Sequence, residues 1–256
     1  MKRALAVALL LAVPAFGQSD DGLFAQGKYE AAIRAAASDN SARGFVDAAR
    51  ATLAEEATRE ERCLACLKRA EDFARRAIAA DSKLSNGYVF LAITLGLESR
   101  IEGYDEARRK GYAGEAKRAL DAALDADPGN AWALAAMGGW NIEVVRGGGP
   151  VLALLLYGAS VDKGRKCFDA AFARAPDNIA IRYQYALTLA GYDAERYRAD
   201  IGRSLSRTVN GTTDTAYGRL LQNRAGELLA LLRKGDEAAF VERVRVYEGF
   251  VTTPAG

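Results

Sequence analysis

Residues 116–138 read AKRALDAALDADPGNAWALAAMG. Ala116, Leu120 and Ala123 recur at i, i+4 and i+7, which lines one face of a helix. Alanine on that face lets a second helix approach closely. Asp127-Pro128 stops the helix, because proline restricts the residue before it and cannot continue the backbone pattern. Beyond the break, Leu134, Met137 and Gly138 lie on one face of a return helix. The large Met137 followed at once by the small Gly138 is a knob beside a hole. The stretch therefore encodes two helices packed across a short turn.

The same pattern occurs twice more. Gly164, Phe168 and Ala171 precede Pro176, and Arg182, Tyr185 and Ala186 follow it. Ala70, Ala74 and Ala77 precede Ser82, and Tyr88, Leu91 and Ala92 follow it. The breaks at Ser82, Pro128 and Pro176 are 46 and 48 residues apart. The extra length falls between paired helices, roughly in 99–113 and 147–159. Working outward, Gly27 separates two short helices near the start. Asp39-Asn40-Ser41 caps a helix running to about residue 56, and Thr58-x-x-Glu61 matches a capping box opening a long helix to about residue 80. Helices follow near 85–98, 113–126, 130–145, 160–174, 178–190, 194–208, 214–233 and 236–249. About twelve helices make six hairpins. No hairpin buries its apolar face alone, so neighbours must stack.

On these residues the chain resembles the tetratricopeptide repeat family: small-x3-large-x2-small-x4-Pro on one helix and large-x2-large-small on its partner. The match is best over Ala116 to Gly138 and covers roughly residues 60–190. The resemblance implies an all-α, right-handed superhelical stack of about six hairpins, in residues 18–210, with residues 211–256 as capping helices of the same domain. The usual period is about 34 residues, so these repeats are stretched. The stretched pattern is similar to exported bacterial repeat proteins, including the helical partner subunit of TRAP solute transporters, and to the eukaryotic regulators of microtubule dynamics. Family members that grip a C-terminal carboxylate use Lys, Asn and Arg on the first helix of each hairpin. The matching positions here are Asn86, Val89 and Ile93, then Trp132, Ala135 and Gly139, then Ala180, Tyr183 and Leu187. The clamp is absent.

Composition narrows the function. Half of the 256 residues are hydrophobic and 27% are charged, with only five prolines. Lys2-Arg3, the apolar run Ala4–Val13, Pro14 and Ala15-Phe16-Gly17 have the order of a secretory leader. The expected leader is residues 1–17, cleaved before Gln18, which places the mature chain in the periplasm or outside the cell. The full chain has 35 basic and 33 acidic residues. Without Lys2 and Arg3 the charges balance, so nothing favours a nucleic-acid partner. The ten-residue apolar run is too short to span a bilayer, and no transmembrane helix is expected in the mature chain.

The chain contains no histidine, which removes most familiar catalytic and metal-site chemistry. A serine nucleophile would need another base, and no spacing supplies one. Cys63-x-x-Cys66 lies in an expected helix with no preceding strand, unlike a thioredoxin motif. With Cys167 there are three thiols, too few for a zinc site without other ligands. No catalytic residue, metal or cofactor is expected, and the chain is read as a non-enzyme. Gly147-Gly148-Gly149 lacks the Gly-Lys-Ser/Thr ending of a nucleotide loop. The apolar run Val151–Tyr157 after it reads as a segment packed on the repeat or, if exposed, as an interaction site. The basic residues of the other insert, Arg100, Arg108, Arg109 and Lys110, alternate with acids and read as a solvated loop.

The residues expected to touch a ligand or partner are Trp132, Trp140, Asn141, Arg146 and Tyr183. The aromatics suit contact, and Asn141 and Arg146 lie on the helix entering the glycine insert. Two functions fit. One is a scaffold for protein–protein interaction in the cell envelope. The other is a small-solute-binding accessory protein of a transport system, with a pocket lined by the inner aromatics.

Overall fold

The computed structural model describes residues 20–59 and 61–250. The expected leader, residues 1–17, lies outside them. Among the described residues there are thirteen α-helices and no strand. They are α1 (Asp20–Ala25), α2 (Tyr29–Ser38), α3 (Ala42–Thr58), α4 (Leu64–Ala80), α5 (Ser85–Glu102), α6 (Tyr104–Lys110) and α7 (Tyr112–Ala126). The rest are α8 (Ala131–Tyr157), α9 (Val161–Arg174), α10 (Ile179–Asp193), α11 (Arg198–Asn210), α12 (Ala216–Lys234) and α13 (Glu237–Glu248).

The three repeated patterns form the interfaces. Ala70, Ala74 and Ala77 on α4, Ala116, Leu120 and Ala123 on α7, and Phe168 and Ala171 on α9 are all buried. Their partners Leu91, Ala92, Met137, Tyr185 and Ala186 are buried too. The knob-and-hole reading is sharpest where α8 crosses α9. A Cβ on Gly138 would lie 2.6 Å from the Phe168 ring and 2.9 Å from the Gly164 carbonyl. A Cβ on Gly164 would lie 2.6 Å from Ile142 and 2.7 Å from the Gly138 carbonyl. Each glycine makes room for the other helix's backbone, so Phe168 can fill the space beside them.

The turns repeat as well. Asp81 and Asp127 each accept the amide two residues on, from Lys83 and Gly129, at 2.9 Å. Asn130 caps α8 by accepting from Trp132 and Ala133, and Asn178 caps α10 by accepting from Ala180 and Ile181. These caps satisfy amides that no helical carbonyl reaches. Asn130 also donates to Ser85 and Asn86 of the preceding hairpin, and Ser85 donates to the Ala123 carbonyl. Successive turns are thus tied together.

Helices α3, α5, α8, α10 and α12 touch one another in that order and form one layer. Helices α4, α7, α9 and α11 each pack between successive members of that layer, α2 packs on its first member α3, and these five contact one another less. The first layer is therefore the more closely spaced. Its last helix reaches the first helix of the chain: α12 touches α1, with the Tyr217 and Phe24 rings 6.4 Å apart. Helix α13 then turns back onto α10 and α12.

Four local expectations are corrected. Thr58 ends α3 instead of capping α4, its hydroxyl donating backward to the Glu55 carbonyl at 2.7 Å. Cys63 is the cap of α4 instead of an interior residue, and its sulfur accepts from the Cys66 amide. The insert 147–159 does not pack flat after a glycine turn. Helix α8 continues through it, kinked at Gly149, whose φ of 77° glycine adopts without steric cost. The other insert is ordered helix: α5 runs on to Glu102, and α6 sits between turns at Gly103 and Gly111.

Candidate functional site

Two surfaces stand out. The first is where the end of α13 meets the layer of α5, α8 and α10. Gly249, at φ 91°, ends α13. A helix end leaves carbonyls without partners and carries partial negative charge, so it attracts cations. Arginines from elsewhere in the chain meet it. Arg62, before α4, donates to the Val246 carbonyl at 3.3 Å. Arg100, near the end of α5, donates to the Glu248 carbonyl at 2.7 Å. Arg146 of α8 donates to both oxygens of the Glu248 carboxylate, at 2.9 and 3.1 Å. The Phe250 ring lies 5.0 Å from the Arg146 guanidinium and 5.6 Å from that of Arg100. Arg224 of α12 lies 4.6 Å from the Tyr247 ring and donates to the Ala57 carbonyl at the end of α3.

Glu248 is 2% exposed. Burial pushes its carboxyl up to about 7, with Arg100 and Arg146 opposing the shift and Glu143 adding to it. Gly191 of α10 backs this group. A Cβ there would collide with the Glu248 carboxylate and the Arg146 guanidinium. Tyr183, also on α10, is buried, and its hydroxyl makes no hydrogen bond. Burial pushes its pKa upward, and Arg224, Tyr217 and Tyr247 are its electrostatic neighbours.

The second surface is the end of α8. Among the described residues, nine large hydrophobics are exposed, and six of them are Val151, Leu152, Leu154, Leu155, Leu156 and Tyr157. A seventh, Tyr104 of α6, sits beside Gly147. Only Ala153 of this segment is buried in the core. An open depression of about 390 Å³ adjoins Tyr157 and Gly158, lined also by Lys117, Asn141, Lys163, Lys166 and Cys167. Lys163 donates to the Gly158 carbonyl at 2.6 Å, and Lys117 pairs with Asp121.

The five expected contact residues divide between these places. Arg146 and Tyr183 face α13 and α12. Asn141 lines the lysine depression, donating to the Met137 carbonyl and accepting weakly from the Ser160 amide. Trp140 is buried beside it, donating to the Ala113 carbonyl, with Tyr157 edge-on at 5.8 Å. Trp132 is exposed and belongs to neither. Trp132, Trp140 and Tyr183 are not in the lining of the lysine depression. Of the inner-face positions, Val89, Ala135, Tyr183 and Leu187 are buried.

Arg100, expected in a solvated loop, sits instead beside Arg146, and one sequence signal joins them. The two stand at one repeat offset, each 18 residues after its break, at Ser82 and Pro128. Glu248 and Phe250 carried no such mark.

Two groups have the geometry to gather a cation. Glu56, Cys63 and Cys66 lie together, but the cysteines are joined as a disulfide and offer no thiolate. Asp20, Asp21 and Asp47 also cluster, and Arg50 already pairs with Asp21 and Asp47. By fold this is an all-helical protein, with thirteen helices among the described residues. No protein-family model and no curated protein matches the chain.

Proposed function

We propose that the chain is an exported scaffold of tetratricopeptide-like hairpins in a right-handed superhelix, which binds a protein partner in the cell envelope. The closely spaced layer of α3, α5, α8, α10 and α12 is its concave, partner-binding side. One observation carries the reading. The chain's own residues Val246–Phe250 are seated on Arg62, Arg100 and Arg146, which come from three separate stretches of sequence. They hold two main-chain carbonyls, a carboxylate and an aromatic ring. That chemistry selects a helix end or turn carrying an acid and an aromatic. The partner segment is of this kind, and α13 occupies its place in the resting chain.

Export is supported by the leader-like order of residues 1–17 and by the Cys63–Cys66 disulfide, since such bonds persist in oxidising compartments. The solute reading has less support, because the three aromatics proposed to line its pocket have different surroundings: Trp132 is exposed, Trp140 is buried against Ala113 and Tyr157, and Tyr183 is buried towards α12 and α13.

The test uses a labelled peptide of residues 241–250, VERVRVYEGF, and the full-length chain carrying Glu248→Ala and Phe250→Ala. These substitutions remove the carboxylate and the aromatic ring from the seat and leave only its two main-chain contacts. The peptide should bind the double variant and should fail to bind once Arg100→Ala and Arg146→Ala are added. No binding to a double variant of unchanged helicity overturns the proposal. Hydrogen exchange on the unaltered chain is the second measurement. Amides of α13 should exchange faster than those of α5. If they exchange only with global unfolding, α13 is a permanent core element and the proposal fails.

A further inference from the structure

We infer that the end of α8, residues 150–157, is a docking surface for an anionic lipid bilayer. It uses a different face from the arginine seat and does not depend on it. The argument begins with the angular spread of the apolar residues. Successive helical residues are about 100° apart, so Val151, Leu152, Leu154, Leu155 and Leu156 cover about 200° of the helix circumference. These five are 53% to 75% exposed. A helix that docks in a protein groove offers an apolar stripe with polar residues on either side. Here that 200° arc is aliphatic with no polar residue in it, and Ala153 meets the core on the remaining side, which Pro150 and Tyr157 share. Such a surface fits an environment that is apolar on all sides.

The residues at its margins fit a bilayer interface. Tyr157 is an exposed aromatic directly after the leucines, and Tyr104 is another beside Gly147, before the kink. Aromatic side chains of this kind settle at headgroup depth. Lys117, Lys163 and Lys166 surround the depression that begins at Tyr157. Asp121 and Asp162 stand nearby, and Lys117 is held by Asp121. Lys163 and Lys166 have no carboxylate within ion-pair distance among the described residues. The depression also abuts the first turn of α9, where Ser160 caps the helix and the peptide dipoles add positive potential. Leucines beside a tyrosine beside lysines that lack a carboxylate partner is the order of polarity that a monolayer with anionic headgroups presents in reverse.

Depth sets the mode of attachment. Residues 150–157 make a helix of about 12 Å, well short of the roughly 30 Å of a hydrocarbon core. No single described helix is long and apolar enough to cross a membrane. The segment therefore enters one leaflet and does not span it.

The experiment is co-sedimentation of the full chain with vesicles of phosphatidylcholine alone or mixed with phosphatidylglycerol, in low and high salt. Binding should favour the anionic vesicles and weaken with salt. Leu152→Asp with Leu155→Asp should abolish it without changing helicity, because both side chains are exposed. Lys163→Gln with Lys166→Gln should weaken it about 30-fold, from about a fivefold effect per lysine near an anionic surface. Equal binding to both vesicle types, no binding, or binding that survives the double aspartate variant each overturns the inference. So does sedimentation analysis in which the leucine substitutions convert an oligomer of this chain to monomer, since the surface would then belong to a second copy.

Discussion

Replacing Glu248 by glutamine should make the chain's stability less sensitive to pH, with a sign that distinguishes burial from ion pairing. The glutamine keeps the shape of the side chain and one oxygen for Arg146. It removes the proton equilibrium. In the folded chain burial holds the Glu248 carboxyl at about 7, against an ordinary 4.5. Between these two values the unfolded chain has released its proton and the folded chain still holds it. Stability of the unaltered chain therefore falls as pH rises from about 4.5 to 7. Lifting the carboxyl over that interval corresponds to about 3 kcal/mol. At pH 4 the two proteins should differ little in this respect, and by pH 8 the glutamine variant should have gained about 3 kcal/mol on its parent. Urea denaturation at half-unit intervals from pH 4 to 8.5 measures the difference. Buried Glu98 and Glu56 titrate in both proteins and cancel in the subtraction. A flat difference would mean that Glu248 is not desolvated in the seat. A difference of opposite slope would mean that Arg100 and Arg146 outweigh burial. Either result would refute the reasoning.

Three further outcomes follow from the packing and the cysteines. Phe168 is 0% exposed and lies 4.9 Å from the Tyr185 ring, so Phe168→Ala should cost about 3–5 kcal/mol in a urea titration. A loss below about 1 kcal/mol would contradict the α8–α9 crossing. Alkylation without reductant should label Cys167 alone, and slowly, because burial raises its pKa; reduction should expose two more thiols. The disulfide closes a loop of only four residues, so Cys63→Ser with Cys66→Ser should cost no more than about 2 kcal/mol.

The hairpins were legible because helical packing leaves a period in the sequence. Ala123, Ala77 and Ala171 stand at the same place in three helices, and all three are buried to 0%. Caps were less legible. Thr58 had the right side chain for the start of α4, but a hydroxyl can satisfy a carbonyl at a helix end as readily as an amide at a helix start. What identified the true start was Cys63, a residue type outside the usual capping set. The docking of α13 was not legible at all. Arg146 and Glu248 are 102 residues apart, and Arg100 and the Glu248 carbonyl 148. A contact between single residues so far apart leaves no period, and only the charge of each end is visible.

The stretching of the repeat accounts for both surfaces. A hairpin of about 34 residues has no room for a first helix as long as α5, with 18 residues, or α8, with 27. In the third repeat, where no insert follows, α10 stops at Asp193, and the position matching Arg100 and Arg146 is Ala194, past its end. The added turns of α5 and α8 are what carry the two arginines to the end of α13. The further extension of α8, past Gly149, carries Val151–Leu156 into solvent. A core made of common hairpins would give a stack with neither feature. Excising residues 147–158 would therefore remove the leucine surface and leave Arg146 near a helix end. Shortening α5 before Arg100 would instead loosen the seat and leave the leucines in place. The two inserts separate into one that builds the seat jointly with α8 and one that alone builds the apolar face.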